Sequence, residues 1–131
     1  MNLDEKTLEK CVERFRTESR LLAVWGLGSA FGGAWRVDSD VDFAVLPRSQ
    51  GIRDFRAEGE LVADLEAIVK RRVDVGFITT RNLVYANQAI RNGILVFARD
   101  PEAVNEFVGR LFSLYPDFKR DRKVVEEAYR G

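Results

Sequence analysis

Apolar positions along this chain switch between helical and strand spacing, and the switches divide it into elements. Leu8, Cys11, Val12 and Phe15 recur at helical spacing and predict an amphipathic helix ending near Ser19. Leu21 to Trp25 is a compact apolar run that predicts a buried strand leading into Gly26. Residues 29–35 read as a short helix or turn, and Val41 to Leu46 as a second strand stopped by Pro47. A loop is expected from Gln50 to Arg53, after which Leu61, Val62, Leu65, Ile68 and Val69 mark one face of a second long helix. Val73 to Ile78 predicts a third strand. Thr80 is expected to cap a helix that carries Leu83, Ala86 and Ile90 and stops at Asn92-Gly93. Ile94 to Ala98 predicts a fourth strand. Asp100-Pro101, a capping residue followed by proline at the first helical position, opens a helix through about Leu114. Pro116 interrupts it, and the charged segment from Asp117 to Arg130 reads as a last helix. The pattern predicts one α/β domain over residues 1–131, a small mixed sheet of about four strands flanked by helices, with a helical extension from about residue 101.

Composition narrows the chemistry. Twenty-one basic residues balance twenty-one acidic ones, so nothing pulls the whole surface toward nucleic acid or an anionic membrane, and direct binding to either is not expected. Cys11 is the only cysteine, which excludes an internal disulfide and fits a reducing, cytoplasmic location. The opening MNLDEKTLEK does not read as a secretion signal, and no apolar run approaches membrane-spanning length. With no histidine, Ser-His-Asp and Cys-His sites, His-ligated zinc and a histidine base are all excluded. Catalysis by this chain would rest on carboxylates, hydroxyls, amides and arginines, with a hard metal ion.

The segment GLGSAFGGAWRVDSDVDFAVL, residues 26–46, holds the candidate chemistry. Asp38 and Ser39 are good turn formers, which bond to their own backbone. Asp42 is different, because it lies inside an apolar strand where a turn has no use for it. Asp40 and Asp42 are two residues apart on an extended segment, so both are expected to face one side of the sheet. Two close carboxylates repel, and burying them requires a cation or a raised pKa. Oxygen-only ligands suit Mg²⁺. Asp74, flanked by Val73 and Val75, repeats the anomaly on the next strand. Taken alone it would be an edge or ion-paired residue, with Arg71 or Arg72 as partner. Beside the pair it becomes a third ligand, and three carboxylates on two strands can hold two Mg²⁺ ions for phosphoryl or nucleotidyl transfer. Gly28-Ser29 ends the first strand and, beyond a simple turn, offers backbone N–H groups and a hydroxyl to a nucleotide's terminal phosphates.

Three other motifs fail at stated positions. A P-loop needs Lys-Ser/Thr where Ala34-Trp35 follows Gly33, a dinucleotide fingerprint needs glycine where Phe31 stands, and an EF-hand from Asp38 needs Gly and Glu at Phe43 and Ser49.

Gly-Ser, ten residues, Asp-x-Asp and a later strand aspartate together resemble the polymerase-β-like nucleotidyltransferase superfamily, in its minimal nucleotidyltransferase (MNT) branch. Gly28-Ser29 matches the family's Gly-Ser, Gly33 its following glycine, DSDVD its Asp-Ser-Asp-x-Asp, and Asp74 its third carboxylate. The helix ending IRNG, the strand LVFARDPE and the closing aromatic-basic helix extend the likeness over nearly the whole chain. The resemblance implies the polymerase-β-like fold and an antitoxin of HEPN/MNT pairs, which transfers AMP from ATP to a tyrosine of its HEPN toxin. Expected roles follow. Asp40, Asp42 and Asp74 hold two Mg²⁺ ions, Gly28, Ser29 and Gly33 hold the nucleotide, and the partners are ATP and a HEPN-family toxin. Homodimerisation is left open. Two rival functions are a contact-only antitoxin with a vestigial site and a nucleotidyltransferase acting on a small-molecule hydroxyl.

The chain departs from the family in one respect. Relatives carry arginines after the Gly-Ser, where this sequence has Ala30 and Gly32. Arg36 is the expected substitute in the nucleotide site, with the Lys70-Arg71-Arg72 run as a further source of charge, and Ala30→Arg is expected to strengthen ATP binding. Phe107, Leu111, Leu114 and Tyr115 with Lys119, Arg120, Arg122 and Lys123 are expected to dock the partner.

Overall fold

The computed structural model describes residues 2–33, 35–36, 38–51 and 53–114. Among the described residues four α-helices and four strands follow in the order α1 (Glu5–Thr17), β1 (Leu21–Leu27), β2 (Val41–Pro47), α2 (Phe55–Val69), β3 (Val73–Phe77), α3 (Leu83–Asn92), β4 (Ile94–Ala98) and α4 (Pro101–Leu114). One turn of 3₁₀ helix, Gly28–Ala30, follows β1. The four expected strands are all present. The segment from Tyr115 onward, to which the last helix and most of the docking surface were assigned, lies outside the described residues.

The caps explain the helix boundaries. Asp54 Oδ1 accepts from the Ala57 N–H at the start of α2, and Asp100 Oδ1 accepts from Glu102 and Ala103 ahead of Pro101 in α4. The expectation of Thr80 as the cap of α3 is corrected to Asn82, whose Oδ1 accepts from the Tyr85 N–H. Thr80 instead donates its backbone N–H to Gln50 Oε1 and lies outside the helix. Arg99, just past β4, donates to the carbonyls of Phe15, Arg16 and Glu18 at the end of α1 and to that of Leu21, which ties the helix to the sheet.

The sheet order is β3-β2-β1-β4. β1 runs antiparallel to β2 and β4, while β2 and β3 are parallel, joined by the α2 crossover. Strand alternation sorts side chains into two cores. On one face Val24, Val41, Phe43, Val45 and Val73 pack with Cys11 and Phe15 of α1 and Leu61 and Leu65 of α2. Phe43 is central there, edge-on to Phe15 at 5.1 Å and to Phe31 at 5.7 Å. On the other face Ala23, Trp25, Ala44 and Leu46 pack with Ala86, Ala89 and Ile90 of α3 and Val104, Phe107, Val108 and Leu111 of α4. Phe107 and Leu111, two of the residues assigned to partner docking, are buried in this second core, while Leu114 is exposed. Continuing the Ala44–Leu46 row by one alternation toward the start of β2 reaches Asp42. The apolar face gives way to carboxylates there.

Candidate active site

Asp42 and Asp74 are direct partners in the parallel β2–β3 register, so both leave the sheet on the α3/α4 face, in adjacent strands and in one row. Asp40 lies one residue ahead of the first residue of β2, at the end of the preceding loop rather than within the strand. It still acts on the pair. Burial first, then the charges of Asp74 and Asp40, raise the Asp42 carboxyl above its ordinary pKa. Asp40 and Asp42 are half-buried, and Asp74, on the edge strand, is exposed. Arg71, proposed from sequence as a salt-bridge partner for Asp74, turns its guanidinium elsewhere, as described below.

Among the described residues, no three acidic, cysteine or histidine side chains converge into a ready-made metal cage. The donor set nonetheless fits a hard divalent cation. It offers carboxylate oxygens only, and the Asp42 anion is already disfavoured by burial and then by the charges of Asp74 and Asp40, a cost that a cation would offset.

Gly28 closes the site from the β1 side. Its φ of +75° lies in the left-handed region, and a Cβ added there would stand 3.0 Å from Asp42 Oδ2. The turn that begins at Gly28 therefore passes directly against the carboxylate, with Ser29 next in the 3₁₀ turn. Asn2 holds this turn, with Nδ2 donating to the Ser29 carbonyl at 2.7 Å and the Gly33 carbonyl at 2.9 Å. The backbone N–H groups of Asn2 and Leu3 both donate to the Ala30 carbonyl. Nothing in the local sequence around Asn2 marks it for this role, because its partners lie some thirty residues away.

The expectation for Ala30 is corrected. Ala30 is buried in the α1/α2 core, so an arginine there would have to enter apolar packing rather than face a phosphate. Gly32 is exposed, and a Cβ there would meet no atom within 4 Å. Arg36 is exposed, with its backbone tied to Ser39 through reciprocal bonds: Arg36 N–H to Ser39 Oγ at 3.0 Å and Ser39 N–H to the Arg36 carbonyl at 3.1 Å.

Sequence reasoning missed Tyr85. It sits in the first turn of α3, and its hydroxyl oxygen occupies the place of a side chain at Gly76: a Cβ there would lie 2.1 Å from it. Gly76 follows Asp74 by two residues and pairs with Ala44, so the phenol tip stands one row behind the carboxylates. Burial, then the charge of Asp42, raise the phenol above its ordinary pKa. A glycine inside a strand pattern was the one available signal of such a close approach.

A family model for polymerase beta nucleotidyltransferases matches residues 9–102, the part of the chain that carries the sheet, the glycine turn and all three aspartates. The chain belongs to this nucleotidyltransferase family. No curated protein sequence matches it. Solved structures with the same fold include antitoxins from HEPN/MNT pairs. One is a tri-AMPylated Shewanella oneidensis HEPN toxin in complex with its MNT antitoxin, at 19% identity and a TM-score of 0.66, covering 97% of this chain and 98% of that one. Another is a toxin–antitoxin structure with AMP-PNP, at 21% identity and a TM-score of 0.69, covering 95% and 98%. A variant MntA–HepT toxin–antitoxin structure matches at 19% identity and a TM-score of 0.69, with the same coverage. Within this nucleotidyltransferase fold, no helix among the described residues is long and apolar enough to cross a membrane.

Proposed function

We propose that this nucleotidyltransferase is an antitoxin that transfers AMP from Mg·ATP to a tyrosine hydroxyl of a HEPN-type toxin. One observation carries the reading: two carboxylates in register on parallel strands, with a third at the loop end, face a glycine turn that touches one of them. The AMPylated toxin and the AMP-PNP complex among the structural neighbours support adenylyl transfer to a protein.

In this reading Asp40 and Asp42 would hold two Mg²⁺ ions and Asp74 would complete the set. The bound ions would neutralise phosphate charge and lower the pKa of the acceptor hydroxyl. Gly28 and Ser29 hold the β and γ phosphates through backbone N–H groups and the serine hydroxyl, with Gly33 and Arg36 at the rim of the nucleotide site. The acceptor hydroxyl gives up its proton to water, its oxygen bonds to the α phosphorus, the bond from that phosphorus to the β-phosphate oxygen breaks, and pyrophosphate leaves on the β1 side. Asp74 is exposed on the edge strand, so the acceptor approaches from β3, opposite the glycine turn.

The test is intact-mass measurement of a HEPN-type partner encoded beside this chain, after incubation with Mg·ATP and either wild type or Asp40→Ala/Asp42→Ala. Addition of adenylyl groups by the wild type alone is the expected result. A partner that is neutralised equally by both proteins, with no change in mass, would establish the contact-only antitoxin instead.

A further inference from the structure

The loop that delivers Asp40 is held by a residue from another element. Arg71 stands in the turn between α2 and β3, directly after Lys70, the left-handed C-cap of α2. Its guanidinium lies 3.8 Å from the centroid of the Trp35 ring. One terminal nitrogen donates to the Arg36 carbonyl at 2.6 Å and to the Ser39 carbonyl at 3.2 Å. The turn that carries Arg71 is fixed in its own right. The Val73 N–H donates to Glu66 Oε2 of α2, and the Val41 N–H of β2 donates to the Arg72 carbonyl. Arg36 and Ser39 thus have two supports, their own turn and the side chain of Arg71, three residues before Asp74.

We infer that Arg71 is a positioning residue for the carboxylate site: it clamps Trp35, Arg36 and Ser39, on the approach to Asp40, to the entry of β3 and so fixes Asp40 relative to Asp74. Three ionised carboxylates without a cation push one another apart, and a loop-borne aspartate is the one free to move. A clamp that holds it near its strand-borne partners lowers the cost of gathering ligands around a divalent cation. Arginine suits the task because a planar guanidinium stacks on an indole while donating in its own plane to two carbonyls, and a lysine ammonium cannot do both. The assignment also settles what the Lys70-Arg71-Arg72 run contributes at this position. The Arg71 charge is engaged with the loop and is not aimed at a phosphate.

The inference rests on the nucleotidyltransferase reading for its ligand, while the clamp is geometry. The test uses the full chain with Arg71→Met and Arg71→Lys, read by amide hydrogen exchange, calorimetry with Mg·AMP-PNP, and thermal unfolding. In Arg71→Met the Ser39 amide is expected to exchange at least about tenfold faster while the Val45 amide of β2 is unchanged. Affinity for Mg·AMP-PNP is expected to fall by about tenfold, the lower end of what loss of an outer-shell partner costs, and Arg71→Lys is expected to restore only part of it. A lower unfolding midpoint with loop exchange and affinity untouched would make Arg71 a merely structural residue and overturn the inference. Full rescue by lysine would overturn the stacking argument. A wild-type protein with no affinity for Mg·AMP-PNP sinks the nucleotidyltransferase reading instead, and the exchange comparison then decides the clamp by itself.

Discussion

The two faces of the sheet start from the same strands and end differently. On the α1/α2 face the apolar row runs to the very start of both parallel strands, where Val41 and Val73 are buried beside Phe31 and Phe43. On the α3/α4 face the row stops at Ala44, and the next positions on β2 and β3 are Asp42 and Asp74. One face is closed by two long helices, while the other is covered by α3 and α4 only as far as the phenol of Tyr85. A parallel pair that would normally be buried on both sides is left open at one end of one side, and that opening holds the carboxylates. The difference separates roles. Residues a single position apart, such as the buried Val41 and Phe43 against the half-buried Asp40 and Asp42, are expected to answer to different measurements.

The largest expected effect breaks the open face. On the proposed function, Asp40→Ala/Asp42→Ala should lower adenylyl transfer by more than about a thousandfold, since the proposed metal ligands would act as a unit. Far-UV circular dichroism should show the fold intact, and pull-down should show the partner still bound. The matching change on the closed face is Phe43→Ala. Deleting a ring that meets Phe15 and Phe31 should cost about 3–5 kcal/mol in chemical denaturation. Mg·AMP-PNP affinity of the protein that remains folded should change little.

A smaller effect follows from the corrected position of the missing cation. Gly32→Arg, at an open exposed site, is expected to tighten Mg·AMP-PNP binding by about 1 kcal/mol or more, the scale of a charge-assisted hydrogen bond. Ala30→Arg should instead lower stability, because Ala30 is enclosed by the closed-face core. Calorimetry and denaturation on both variants separate these outcomes. Tightening by Ala30→Arg without loss of stability would contradict the packing described for the 3₁₀ turn.

The smallest effect concerns the strain stored in the open face. The folded-state pKa of Asp42 is raised, so its ionised form opposes folding. That penalty is fully present above the folded pKa and is relieved as pH falls through it toward the unfolded value. Asp42→Asn should therefore raise the melting temperature of the ligand-free protein by a few degrees at neutral pH, with the gain shrinking in acid. In the wild type, Mg²⁺ should raise the midpoint more with ATP than alone, by mass-action linkage, and Asp42→Asn should abolish that shift. Equal melting curves with and without Mg·ATP would remove the metal site from the proposal.

The sequence by itself determined the elements and the aspartates. Hydrophobic spacing located all four strands, because each strand must bury a face and the alternation is written residue by residue. Asp42 was legible for the same reason, as a charge in an apolar strand that turn chemistry does not explain; Asp74 gained its meaning only beside the Asp40/Asp42 pair, since taken alone it reads as the exposed edge-strand residue it is. Glycine and aspartate at Gly28 and Asp100 were legible through local backbone chemistry. The cap of α3 was misplaced by two residues, since Thr80 and Asn82 are both competent cap residues; Asn82 takes the role, while the Thr80 N–H bonds to Gln50, thirty residues earlier. The tertiary structure alone decided which residues surround the aspartates. Asn2 on the glycine turn, Arg71 on the aspartate loop and Tyr85 over Gly76 come from three separate parts of the chain, and no spacing rule links them to the motif. Only the fold could show that Ala30 is enclosed while Gly32 is open. The physical reason is range: periodicity and capping are set by neighbours within a turn or a strand, whereas these contacts join residues far apart in sequence and exist only once the sheet has brought them together.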